Sequence, residues 1–86
     1  MQFEGAVIKE QGVTFAIVIV KSYVLNSNSE CDNARRSFRS IFPGVPIILM
    51  AQDSRGIPTY QGRPDIVKFL SHIHPSRIPW ERYNYS

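Results

Sequence analysis

Cys31 is the only thiol in the chain, so any nucleophilic or redox chemistry by sulfur rests on that residue. The positive end of a helix favours a thiolate, and a cysteine in the first helical turn can use it. Here Glu30 and Asp32 flank the thiol and oppose that charge, and Cys31 shares a helical stripe with Phe38 and Ile41. A free cysteine in such a stripe behaves as a small apolar residue, so its expected role is packing. A single cysteine also excludes an internal disulfide and a zinc site built from several thiolates. His72 and His74, two positions apart in the chain, project about 200° from one another on a helix and do not chelate one metal there. No further ligand is signposted beside them, and neither has a serine or cysteine partner that the sequence identifies. The sequence therefore yields no catalytic residue, no cofactor and no metal site.

Positive charge and aromatic rings offer a second kind of chemistry. Arg35, Arg36 and Arg39 occupy the side of the helix away from Cys31 and Phe38, and Arg63, Lys68, Arg77 and Arg82 extend the basic surface. Guanidinium groups contact phosphates, while Trp80, Tyr83 and Tyr85 are rings on which bases stack. The alternative is a solvated helix face, and the chain has neither an aromatic-bearing RNP strand nor a GxxG loop. Protein interfaces are enriched in Trp, Tyr and Arg, so Arg77 to Tyr85 reads equally as a protein-recognition surface or as a segment folded back over the sheet. The candidate interaction surface is thus Arg35, Arg36, Arg39, Arg77, Trp80, Arg82, Tyr83 and Tyr85.

The elements that must position these residues are legible from apolar patterning. Phe3 to Glu10 reads as an edge or half-exposed strand, and Gln11-Gly12 as a tight turn into a second strand from Val13 or Thr14 to about Lys21. Phe15 to Val20 has no polar alternation and is rich in β-branched residues, the pattern of a strand covered on both faces. Ser27 with Glu30 three residues on forms a capping box at the start of a helix whose stripe is Cys31, Ala34, Phe38, Ile41 and Phe42. Pro43-Gly44 ends that helix, and Ile47 to Ala51 is a second strand with no polar face. Two such strands around a helix form a βαβ unit with parallel strands. Asp53 to Gly56 is a hairpin loop, Ile57 to Gln61 a short edge strand carrying Pro58, and Gly62 to Asp65 opens a last helix with the stripe Ile66, Phe69, Leu70 and Ile73.

The expectation is one small α/β domain (α+β being the other possibility) of ββαββα order: a four-stranded mixed sheet with a parallel central pair, packed by two helices. It spans residues 1–75, and residues 76–86 form an aromatic and basic tail packed on the same domain. Open sheets of this kind bind ligands at the C-terminal ends of their parallel strands, here Lys21, Ser22, Asn26 and Ser27 beside the second strand and Gln52 and Asp53 beside the third. An anion at the helix N-terminus would meet the charge of Glu30, and no glycine-rich phosphate loop is present.

Val45-Pro46 through Leu49, with Gly62 and Phe69-Leu70 beyond a turn, resembles the C-terminal part of thioredoxin-like proteins, in which a proline precedes a strand, a hairpin and a last helix. That resemblance covers about a third of the chain. It implies an enzyme using Cys31, although the paired cysteines of the family are absent and the short Pro43-Gly44-Val45 link favours a parallel strand. Val45 to Ala51 also resembles a strand of response-regulator receiver domains, but Lys21-Ser22 stand where an acidic phosphoacceptor site would be.

The chain has 86 residues, room for one core and no second domain. With 43% hydrophobic and 20% charged residues it has the composition of a folded globule. The net charge of +3 tilts encounters toward anionic partners without identifying one. The first residues do not resemble a signal peptide, and Phe15 to Val20 is too short to cross a membrane, so a cytoplasmic protein without membrane contact is expected. The leading functional expectation is a non-enzymatic protein-interaction module whose partner is another protein or a second copy. Nucleic-acid binding through the basic helix face and the C-terminal aromatics is the alternative, and a thioredoxin-like or other enzyme using Cys31 the third.

Overall fold

Val13–Ile19 (β2) and Ile47–Gln52 (β3) are apolar throughout their buried stretches, Phe15 to Val18 and Ile47 to Ala51, because each face there lies under a helix. The computed structural model describes residues 2–84. In chain order it holds β1 (Gln2–Glu10), β2, a 3-10 turn Ser22–Asn26, α1 (Asn28–Phe38), β3, β4 (Pro58–Gln61), α2 (Pro64–Leu70), a 3-10 turn Pro75–Arg77 and β5 (Glu81–Asn84). It is a small α+β domain with a mixed five-stranded sheet in the order β4-β3-β2-β1-β5.

β2 and β3 pair in parallel with Ala16 opposite Ile47 and Ile19 opposite Met50, while β1, β4 and β5 pair antiparallel with their neighbours. The period of two divides the central strands between two cores. Phe15, Ile17, Ile48 and Met50 pack with Ile66 and Leu70 of α2 and with Ile78; Ala16, Val18, Ile47 and Leu49 pack with Cys31 and Phe38 of α1 and with Phe42. Truncating a fully buried residue such as Ile17 or Leu49 to alanine costs about 2–5 kcal/mol in sites of this kind. The β1–β2 hairpin closes through Gln11 and Gly12, both at positive φ (50° and 80°), the two-residue geometry whose twist matches that of the strands.

Four expectations are corrected. The sheet has five strands where the sequence predicts four, because Glu81–Asn84 pairs with β1 from Gln2–Asn84 to Gly5–Glu81. β1 is therefore interior to the sheet, not an edge, and β4 and β5 are the edges. The cause is Phe3, which projects from β1 toward α1 and needs cover: Tyr83 stacks on it at 5.1 Å and 9°, and Phe38 lies against it at 4.8 Å. α1 ends at Phe38, so Ile41 and Phe42 join its apolar stripe from the following turn. Only half of the capping box forms. Ser27 Oγ accepts from Glu30 N–H at 3.4 Å, but Ser27 N–H donates to Val24 O in the preceding 3-10 turn, which leaves Glu30 in solvent.

Candidate functional site

α1 ends beside the β3–β4 side of the sheet, and there the sequence-predicted arginines part company. Arg35 is half-buried and turned inward. Its Nε donates to Ile47 O at 3.0 Å and its Nη2 to Gln61 O at 2.8 Å and to Gln61 Oε1, so one guanidinium fork ties the helix to β3 and β4. Gly62 makes this possible: a Cβ there would stand 3.3 Å from Arg35 Nη2 and 2.6 Å from Ile48 Cδ1. Arg36 is exposed, with one 3.4 Å contact to Asn33 Oδ1. Arg39, the helix C-cap, is exposed and makes no side-chain hydrogen bond or ion pair to another described residue. Arg35 and Arg39 line an open cleft of ≈ 460 Å³ with Val45, Pro46, Gly62 and Arg63. Arg63 forms a bidentate pair with Asp65 (2.7 and 2.8 Å), which holds the Asp65 carboxyl down at about 2.

The C-terminal residues lie elsewhere. Arg82 and Tyr83 are on β5, at the opposite edge of the sheet from β4. Arg82 reaches Glu4 at 3.8 Å, an exposed pair of small energetic weight. Tyr83 is half-buried between Phe3 and Phe42, and burial first, then the charge of Glu81, raises its phenol above the usual value. Trp80 packs on the other face, against the core under α2, with its indole N–H donating to Pro75 O at 3.0 Å. Arg77 is exposed in the 3-10 turn, and Tyr85 lies outside the described residues. The seven described candidate positions are thus distributed over two edges and both faces of the sheet.

The ends of the parallel strands open on two clefts. One, of ≈ 420 Å³, is lined by Ser22, Asn26, Gln52 and Asp53. The Asp53 carboxylate there is committed to its own loop, accepting from the backbone of Arg55 at 2.8 Å and of Ile57 at 2.9 Å. The other, of ≈ 540 Å³, lies on the α2 face and is the feature sequence reasoning missed. Trp80, Ile19, Met50 and Ile57 supply apolar lining, and Arg55, Glu4 and His74 supply charge or polarity. Ile57 is 53% exposed, one of three large hydrophobic residues left open among those described. Its signal in the sequence was an isoleucine directly after a Gly-containing loop and before a proline, where no core face required it.

Cys31 is 1% exposed and donates through Sγ to Val24 O at 3.3 Å, beneath α1. His72 Nδ1 donates to Lys68 O at 2.8 Å, whereas His74 Nδ1 accepts from Ser76 N–H at 3.1 Å, so the partners select opposite tautomers and both rings serve local turns. Among the described residues no three His, Cys, Asp or Glu side chains gather to hold a metal ion, and no helix is long and apolar enough to cross a membrane. Comparison with protein-family models, characterised proteins and solved structures finds no match.

Proposed function

We propose that this chain is a non-enzymatic protein-interaction module that docks an apolar, acidic segment of a partner protein in the Trp80 cleft. The observation that carries the reading is Ile57, 53% exposed, on the same ≈ 540 Å³ cleft as Trp80. Trp is among the residues that dominate interface energetics, and covering the remaining surface of Ile57 would add on the order of 1 kcal/mol by area. Charge selects the occupant. The Arg55 guanidinium makes no hydrogen bond or ion pair to another described residue, while the other charged group of the lining, Glu4, has Arg82 at 3.8 Å, so Arg55 is the charge open to a partner's carboxylate. The nucleic-acid reading joins Arg35, Arg36 and Arg39 to the tail aromatics Trp80, Tyr83 and Tyr85; Tyr83 on the β5 edge and Trp80 on the face opposite α1 weigh against one continuous track.

A random-peptide display selection against the full chain tests this. Trp80 is the only tryptophan, so binding is read directly from its fluorescence. The expected result is enrichment of peptides pairing an apolar anchor with Asp or Glu, which shift the Trp80 emission and bind at least about tenfold more weakly to Ile57→Glu and Arg55→Glu. Ile57 and Arg55 lie on an exposed loop, so circular dichroism of both variants should match the parent. Selected peptides that bind both variants as tightly as the parent overturn the reading, as does a dimer of the chain that Ile57→Glu dissolves, because the occupant is then a second copy.

A further inference from the structure

We infer that the cleft at the C-terminal end of α1 is a binding site for a phosphate dianion, held between Arg35 and Arg39. The inference is independent of the Trp80 cleft, which lies on the other face of the sheet. Arg35 and Arg39 are four residues apart on α1, a spacing that places their side chains on one side of the helix. Their guanidinium groups have different standing. Arg35 is fixed by Ile47 and Gln61 through Nε and Nη2, and its Nη1 has no acceptor among the described residues. A guanidinium already immobilised on three of its five N–H groups presents the remaining two with little further loss of conformational freedom. Arg39, exposed and without a side-chain partner among the described residues, supplies a second fork for a ligand seated against the first.

Charge decides the class of ligand. The cleft is lined by Arg35, Arg39 and Arg63 with no carboxylate among its lining residues. Asp65 neutralises Arg63 through the bidentate pair, which leaves Arg35 and Arg39 without a carboxylate partner among the described residues. The C-terminal dipole of α1 subtracts the equivalent of about half a charge, so the site stays cationic. A phosphate group carries about −1.5 to −2 at neutral pH and offers several acceptor oxygens to planar N–H forks, which matches the two arginines better than a carboxylate or a single phosphodiester does. The remaining lining, Val45, Pro46, Ile47, Gln61 and Gly62, brings no acidic group.

The test uses inorganic phosphate and the full chain, followed by NMR on backbone amides and arginine Nε–H groups. The expected result is saturable binding that moves the Arg35 Nε–H and Gly62 amide signals, weakened by about tenfold or more in Arg39→Gln and unchanged in Lys9→Gln, which removes equal charge from β1. Arg39 is exposed and its side chain has no hydrogen-bond or ion-pair partner among the described residues, so its loss should leave the structure intact and the measurement interpretable. A linear, non-saturating response, or equal weakening by Arg39→Gln and Lys9→Gln, overturns the site in favour of diffuse charge. An oligothymidylate carrying a 5′-phosphate distinguishes the sources. Displacement of that strand by inorganic phosphate places a terminal phosphate of a larger molecule in the same cleft, whereas tight strand binding that phosphate does not displace overturns the dianion assignment.

Discussion

Replacing Arg35 by methionine keeps an unbranched apolar stem of similar reach and removes the guanidinium fork that joins α1 to β3 and β4. The backbone carbonyls of Ile47 and Gln61 lose their 3.0 and 2.8 Å donors, and Gln61 Oε1 loses a third. A hydrogen bond to a charged group contributes about 1.5–3 kcal/mol net when desolvated, but Arg35 is only half-buried, so water recovers part of each. About 1 kcal/mol for each of the two backbone carbonyls, with the Gln61 side chain free to turn to solvent, sums to about 2 kcal/mol. For a domain of this size that corresponds to a fall in Tm of roughly 8–16 °C. Arg36→Met is the internal control, since an exposed residue with one long contact is expected to change stability by no more than about 0.5 kcal/mol. Urea denaturation followed by Trp80 fluorescence and by circular dichroism gives both values. Arg35→Lys should retain most of the loss, because an ammonium cannot reproduce the planar fork. If Arg35→Met and Arg36→Met differ by less than about 0.5 kcal/mol, the fork does not hold the sheet and helix together.

Tyr60 buries a hydroxyl with no hydrogen-bond partner among the described residues, and burial raises its phenol above the usual value, so Tyr60→Phe should stabilise the protein by about 1 kcal/mol in the same denaturation assay; a loss of stability would reveal a partner. Cys31 should react with a thiol reagent only as fast as the protein opens, with a rate that rises with sub-denaturing urea, and rapid stoichiometric labelling in buffer would contradict its burial. Asp65 should titrate with a midpoint at about 2 by carboxyl-carbon NMR and return toward 3.8 in Arg63→Gln. Because its folded value is the lower one, the stabilisation from the Arg63 pair is complete above the unfolded value of 3.8 and is lost as pH falls from there toward 2. Both groups are exposed, so added salt should shrink the effect.

Local chemistry accounts for what was legible. β2, β3, the Gln11-Gly12 turn, the Ser27 cap and the apolar stripes of α1 and α2 each depend on residues close in the chain. The fifth strand, the inward turn of Arg35 and the Trp80 cleft depend instead on residues distant in the chain. Glu81–Asn84 is too short and too flanked by proline to declare itself a strand, and it becomes one because β1 leaves Phe3 and an open edge to cover. Arg35, Arg36 and Arg39 look alike in sequence, yet only Arg35 finds carbonyls on β3 and β4 within reach. The Trp80 cleft has no local signature, since Ile57, Trp80 and His74 meet through the order of the strands.

The amino-acid order by itself thus determined a βαβ unit with parallel apolar strands, because β-branched runs without polar alternation require cover on both faces. Tertiary structure alone decided the fifth strand, the inward turn of Arg35, and the distribution of the basic and aromatic residues over opposite edges and faces. Those depend on which backbone groups and apolar side chains remain uncovered once the central pair has formed, a property of the assembled sheet and not of any single segment.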